Sequence, residues 1–208
     1  MYTLLGRQTS GNVQKVLFML EEMGADYERQ DYGRLFENTQ TPEYKAMNPT
    51  SKVPTMVDGD VVIWESNTIL RYLASLAAPQ LTGATPAESS QVERWMDFLL
   101  AAINAPYLAI FKGIKLAPEE RGADFDAQAK DLTAQMTIMD GHLAGKSFFA
   151  LDKLTIADIA CAPVVKRCLD FKIDRPALPN LERWIDAMGE RPAFQRALAA
   201  DPKNAKVA

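Results

Sequence analysis

Only three side chains in this chain carry a thiol or an imidazole: Cys161, Cys168 and the single histidine, His142. The two cysteines stand seven apart in one apolar helical pattern, so they share a face two turns apart. That separation, on the order of 10 Å, is too long for a disulfide. They read as core residues of a protein kept in a reducing compartment. One histidine and no Cys-x-x-Cys give no metal constellation, so no metal is expected. Neither a Gly-x-Ser-x-Gly elbow nor a phosphate-loop pattern is present, so serine-protease-type chemistry has little support. In "LTIADIACAPVVKRCLDF", Thr155 stands three residues ahead of Asp158, the pattern of a capping box, and a cap inside an apolar helical domain requires no chemistry.

The stretch "KVPTMVDGDVVIWES", Lys52 to Ser66, is more unusual: a proline opens an apolar hairpin that closes on a glutamate and a serine. Proline removes a backbone donor and is normally confined to edges or to the first residue of a strand, so Pro54 taken alone opens an edge strand. The elements around it alternate. "YTLL" reads as a strand, "NVQKVLFMLEEMG" as a helix ended by Gly24, and "YERQDY" as a second strand. After "TPEYKAMN" come "PTMV" and "VVIW" about the turn Asp58-Gly59-Asp60, then a helix from Ser66 to about Ala77. That order predicts a parallel pair joined by a crossover, followed by an antiparallel pair, in a small α/β domain over residues 1–80. "APQLTGATP" reads as a linker. Beyond it apolar residues recur at helical spacing, predicting an all-helical domain over residues 87–208. Its long helix "ERWMDFLLAAINAPYLAIFKGI" carries Pro106 and should kink near Ala105.

At 208 residues, 48% hydrophobic and 24% charged, the chain is an ordinary soluble type. A formal net charge of −4 with scattered lysines and arginines offers no basic field to a phosphate backbone, so nucleic acid is not an expected partner. No basic region precedes a long apolar run and no stretch of about 18 apolar residues occurs, so no membrane association and a cytoplasmic location are expected.

Four segments together resemble the cytosolic glutathione S-transferase family, in particular its bacterial theta/beta-like branch: "TSGNVQKVLFMLEEMG", "NPTSKVPTMVDGDVVIWESNTILRYL", "LTIADIACAP" and "PNLERWIDAMGERPAF". The second is the most specific. The resemblance implies a thioredoxin-like N-terminal domain followed by the all-helical one, with glutathione as co-substrate. Pro54 would then be cis, leaving the backbone of Val53, beside Lys52, to pair with the peptide of glutathione. Glu65 would accept from the ammonium of the γ-glutamyl group, and Ser66 with the adjacent helix-start amides would hold its carboxylate.

Under the same resemblance the thiol-activating group lies between the first strand and first helix, in Arg7-Gln8-Thr9-Ser10-Gly11-Asn12. Ser10 is the first choice, with Thr9 and Asn12 as alternatives, and a helix cap is the competing role for the hydroxyl. A free thiol is only about 3% ionised at pH 7. One hydrogen bond to the charged form, about 1.5–3 kcal/mol, lowers its pKa by about one to two units. No cysteine stands at this position, which counts against thiol transfer through a mixed disulfide. Arg7, Gln8, Tyr107, Ile110 and Phe111 are the candidates for an apolar electrophile pocket. A homodimer is expected from the family and from apolar residues between Ile69 and Leu76. Two other functions remain open: a glutathione-dependent disulfide or peroxide reductase, and a non-catalytic interaction protein of the same fold.

Overall fold

Leu4, Met56 and Ile63 lie side by side across three strands and are all buried, and this apolar row organises the sheet. The computed structural model describes residues 1–33 and 36–199. Its strands are β1 (Tyr2–Leu5), β2 (Tyr27–Gln30), β3 (Thr55–Asp58) and β4 (Val61–Trp64), in the order β2-β1-β3-β4. β1 runs parallel to β2, and β3 is antiparallel to both β1 and β4. Asp58 pairs with Val61, so Gly59 and Asp60 form a two-residue hairpin turn, and Gly59 supplies the positive φ of 58° that such a turn needs.

Helix α1 (Gly11–Met23) is the crossover of the parallel pair, and Gly24 ends it in the left-handed conformation with φ 61°. Residues Val13 to Leu20 of α1 are buried without interruption. Helix α2 (Pro42–Met47) starts on Thr41, whose hydroxyl accepts from the Tyr44 amide. Helix α3 (Ser66–Ala77) packs on α1 and buries Ile69, Leu70, Leu73 and Ala74. This corrects the basis on which a partner was expected: around the sheet and α3, the large apolar side chains left exposed among the described residues are Met1, Val61, Val62 and Trp64, the last three on the edge strand β4, and on α3 only Leu76.

The chain divides into two compact units, one of residues Met1–Gln80 with the segment from Gly189 onward, the other Leu81–Met188. The second holds α4 (Pro86–Phe98), α5 (Asn104–Gly113), α6 (Phe125–His142), α7 (Ile156–Asp170) and α8 (Pro179–Gly189) to its penultimate residue. The boundary between the units falls inside the expected linker, and the part from Leu81 onward is built into the second unit. Thr85 caps α4, the Ala84 amide donates to Glu88, and a Cβ at Gly83 would come within 2.2 Å of the Ser89 amide nitrogen. Between α4 and α5 the helix widens into a π-helical segment, Leu99–Ile103, one turn before Pro106. Proline deprives the Ala102 carbonyl of its donor and crowds it, and the wider turn relieves both.

Asp158 is the polar centre of this unit. Its carboxylate accepts from Phe149 N–H (3.0 Å), Thr155 N–H (3.0 Å), Thr155 Oγ1–H (3.0 Å) and Trp184 Nε1–H (3.1 Å). Burial pushes its pKa up to about 6, against the pull of those donors. It joins the start of α7 to α8, a structural role.

Helix α9 (Pro192–Leu198) belongs to the first unit and packs on α1, whereas the sequence places it in a helical domain over 87–208. Residues beyond 199 lie outside the described residues. Phe194 is buried against Phe18, ring centroids 5.0 Å apart, and Arg191 and Arg196 pair with Glu22 and Glu21. Two carboxylates at the C-terminal end of α1 oppose its dipole, and the arginines offset them. Burial would raise the pKa of Glu21, but hydrogen bonds from Tyr27 and Arg196 and the Arg196 charge outweigh it and hold the carboxyl below its ordinary value.

Candidate functional site

The loop from β1 to α1 is a tight turn. Gly6 N–H donates to Gln30 O (2.8 Å), Arg7 N–H to Tyr32 O (3.1 Å) and Ser10 N–H back to Arg7 O (3.1 Å), so Gln8 and Thr9 are the two central residues of a turn that delivers Ser10 to the helix start. Ser10 is buried at the N-cap position with φ −83° and ψ 125°, yet its hydroxyl makes no capping hydrogen bond. The competing role for this hydroxyl is therefore absent. Thr9 and Asn12 are exposed. Gln8 differs from its expected place in an electrophile pocket: its side chain is buried and donates to Ala197 O of α9 at 2.8 Å.

The peptide between Val53 and Pro54 is cis, as the resemblance implies. Neither the amide nor the carbonyl of Val53 carries a hydrogen bond among the described residues. The Val53 side chain is set close to two glycines, since a Cβ at Gly6 would lie 3.4 Å from Val53 Cβ and one at Gly33 would lie 3.3 Å from Val53 Cγ1 and 2.9 Å from Arg7 Nη1. Gly33 also has φ 93°, so both space and backbone favour glycine there.

A buried network not assigned in the sequence holds this loop. Asn48 donates through Nδ2 to Lys52 O and to Thr55 Oγ1, each at 2.9 Å, and its Oδ1 accepts from Thr50 N–H (3.0 Å) and Thr50 Oγ1–H (2.7 Å). Tyr44 donates its phenol to Lys52 O at 2.7 Å and lies 2.9 Å from Thr55 Oγ1. Burial, partly opposed by the hydrogen bond from Thr55, raises the Tyr44 pKa and keeps the phenol a donor. The Lys52 carbonyl, one residue before Val53, is thus doubly anchored. The legible trace was the "NPT" of an Asx turn, which identifies the turn without its partners.

Glu65 precedes α3 at φ 68° and ψ 116°, a conformation costly for any residue with a Cβ. Its exposed side chain does not cap the helix, and Ser66 behind it is buried. The Ser66 hydroxyl donates to Asn12 Oδ1 at 3.4 Å. Two helix starts therefore meet, and neither α1 nor α3 has a capping side chain or an acidic residue in its first turn. N–H groups of a helix's first turn, which have no intrahelical acceptor, and aligned peptide dipoles favour an anion.

In the helical unit, Tyr107 stacks on Phe171 (5.8 Å between centroids) and lies 5.9 Å from Phe111. Phe111 is half-buried, whereas Ile110 is fully buried and is a core residue. No group of three or more histidine, cysteine or acidic side chains able to hold a metal ion occurs among the described residues. Burial pushes the Cys168 thiol up to about 12, leaving it inert.

A small mixed sheet with a cis-proline loop, two uncapped helix starts and a following helical unit define the glutathione S-transferase class of protein. Residues 1–75 match the family model for the glutathione S-transferase N-terminal domain, and residues 92–192 match that for the C-terminal domain. The chain is 36% identical to glutathione S-transferase GstB of Escherichia coli over 95% of its length and 98% of that protein. It is 30% identical to glutathione S-transferase 3 of Zea mays, over 96% and 94%. Among solved structures, the glutathione-bound theta class glutathione S-transferase of Xanthomonas axonopodis pv. citri superposes with a TM-score of 0.90 at 35% identity, over 96% and 98% of the two chains. The chain belongs to the glutathione S-transferase family. It is an enzyme of that class, with glutathione as its co-substrate.

Proposed function

We propose that the first unit binds glutathione across the two helix starts and that Ser10 activates its thiol. The meeting of α1 and α3 at Asn12 and Ser66, with the Ser10 hydroxyl left uncommitted to its own helix, carries this reading. The γ-glutamyl carboxylate takes the Ser66 hydroxyl and the first amides of α3, and Glu65 accepts from the ammonium. The Val53 N–H and C=O pair with the cysteinyl peptide, with Lys52 beside them at the glycyl end. The thiol proton leaves to solvent, and the Ser10 hydroxyl donates to the resulting thiolate. The sulfur then forms a bond to an electrophilic carbon of an apolar acceptor, and where that carbon bears a halide the halide departs with the bonding pair.

Val61, Val62 and Trp64, exposed on one edge strand, support a homodimer, and light scattering at micromolar concentration should give twice the chain mass. A cytoplasmic location accords with the reduced, buried cysteines; no described helix is long and apolar enough to cross a membrane. The decisive assay measures turnover with glutathione and, in parallel, an aryl halide, an organic hydroperoxide and a mixed disulfide. Conjugation of the aryl halide is expected. Turnover of the hydroperoxide or mixed disulfide alone would make the protein a reductase, and no turnover with glutathione still bound would make it an interaction protein.

A further inference from the structure

The turn that carries Ser10 is tied at its centre to the opposite end of the chain. Gln8 is the first central residue of that turn, its side chain is 9% exposed, and its Nε2–H donates to the carbonyl of Ala197, itself 1% exposed, at 2.8 Å. Ala197 lies in the last turn of α9, where helix carbonyls lack intrahelical donors. The Gln8 amide therefore terminates α9 as much as α9 anchors the turn. α9 is in turn fixed to the helix that Ser10 begins: Phe194 seats on Phe18, and Arg191 and Arg196 pair with Glu22 and Glu21. Turn, α1 and α9 thus form a closed circuit. Gln8 is its contact nearest the hydroxyl, two residues away.

We propose that Gln8 is a positioning residue for the thiol-activating hydroxyl, and that through the Gln8 to Ala197 hydrogen bond the C-terminal helix α9 sets where the Ser10 hydroxyl stands. The proposal rests on the reading that Ser10 activates the thiol. A hydrogen bond to a thiolate weakens steeply as its donor moves, so a turn free to shift loses stabilisation of the charged sulfur while leaving the distant γ-glutamyl contacts intact. Gln8→Met keeps the length and removes the donor.

The test follows bound-glutathione thiolate absorbance against pH, with kcat and KM for an aryl halide reaction, in the full chain and in Gln8→Met, Ser10→Ala and the double variant. In Gln8→Met the apparent thiol pKa should rise by about half to one unit and kcat at neutral pH fall about three- to tenfold, with KM for glutathione within about twofold. In the Ser10→Ala background Gln8→Met should change neither, because its effect passes through the hydroxyl. If Ser10→Ala raises the pKa and Gln8→Met does not, the positioning role is wrong and the Ser10 reading stands. If Ser10→Ala leaves the pKa unmoved, the Ser10 reading fails and the proposal with it. A Gln8→Met effect that persists undiminished without the hydroxyl also overturns the proposal. Should Gln8→Met not fold, Phe194→Leu, which loosens α9 without touching the turn, is held to the same three outcomes.

Discussion

The Ser66 hydroxyl donates to Asn12 Oδ1 across 3.4 Å, joining residues 54 positions apart and bringing the first turn of α3 against the first turn of α1. The contact is long, so its own energy is small. Its consequence is geometric, because it keeps two positive helix ends at one place, where a single anionic ligand can meet both.

Coupling between these two side chains should be measurable in glutathione affinity. Ser66→Ala removes the hydroxyl proposed to hold the ligand carboxylate and should weaken binding by about 1–3 kcal/mol, while Asn12→Ala alone costs less. A double-mutant cycle by titration calorimetry should return a coupling of about 0.5–1 kcal/mol. Strict additivity would mean that the two helix starts act independently.

Glu65 separates binding from backbone strain. Glu65→Ala keeps a Cβ at φ 68° and should weaken glutathione by about 2–3 kcal/mol through loss of the proposed ammonium partner, with little change in stability. Glu65→Gly should lose the same affinity yet unfold at higher denaturant, gaining about 1 kcal/mol as the forbidden conformation becomes ordinary. Equal stability of the two variants in urea titrations would show that the strain is absorbed elsewhere.

Asn48 should matter to binding although the proposed ligand contacts do not include it. All four of its polar positions are used, and Asn48→Ala leaves Thr50 N–H and Thr55 Oγ1 without this partner. A loss of about 2–3 kcal/mol in unfolding free energy is expected. Glutathione affinity should also fall, because the Lys52 carbonyl that holds the Val53 peptide keeps only Tyr44. A destabilised variant of unchanged affinity would confine the network to folding.

The helical unit should lose stability on acidification through His142. Burial, then the charges of Lys146 and Arg94, hold its pKa below 6.5 against the opposing hydrogen bond to Phe149. The geometry agrees: Nε2–H donates to Phe149 O at 2.8 Å, and Nδ1 faces Lys146 Nζ at 3.3 Å, so a second ring proton would meet an ammonium. The unfolded chain thus takes up its proton at a higher pH than the folded one. The contribution is complete above about pH 6.5 and declines as pH falls through the folded value. Relative to His142→Gln, the wild type should be progressively less stable from pH 7 toward pH 5 in thermal melts, and a pH-independent difference would contradict this.

Local order was legible in the residues themselves. The four strands, the Gly24 and Gly59 turns, α3 from Ser66 to Ala77 and the Thr155–Asp158 start of α7 follow from periodicity, φ preferences and capping patterns that act within a few residues. The same holds for the candidacy of Val53, Pro54, Glu65, Ser66 and Ser10, which stand in compact motifs. What only the tertiary structure decided are relationships between groups far apart in the chain. Ser10 stands at the N-cap of its helix, at the end of a turn closed back onto Arg7, yet its hydroxyl makes no cap bond. Gln8 faces Ala197, 189 residues away, instead of an open pocket, and α9 returns to the first unit because Phe18 and the two glutamates of α1 need covering there. Asn48, Tyr44 and Thr55 look like ordinary loop, helix and strand residues until the backbone brings their polar atoms within 3 Å. A hydrogen bond or ion pair is specified by where two backbones place its partners, and a one-dimensional pattern carries the period of each backbone but not the distance between them.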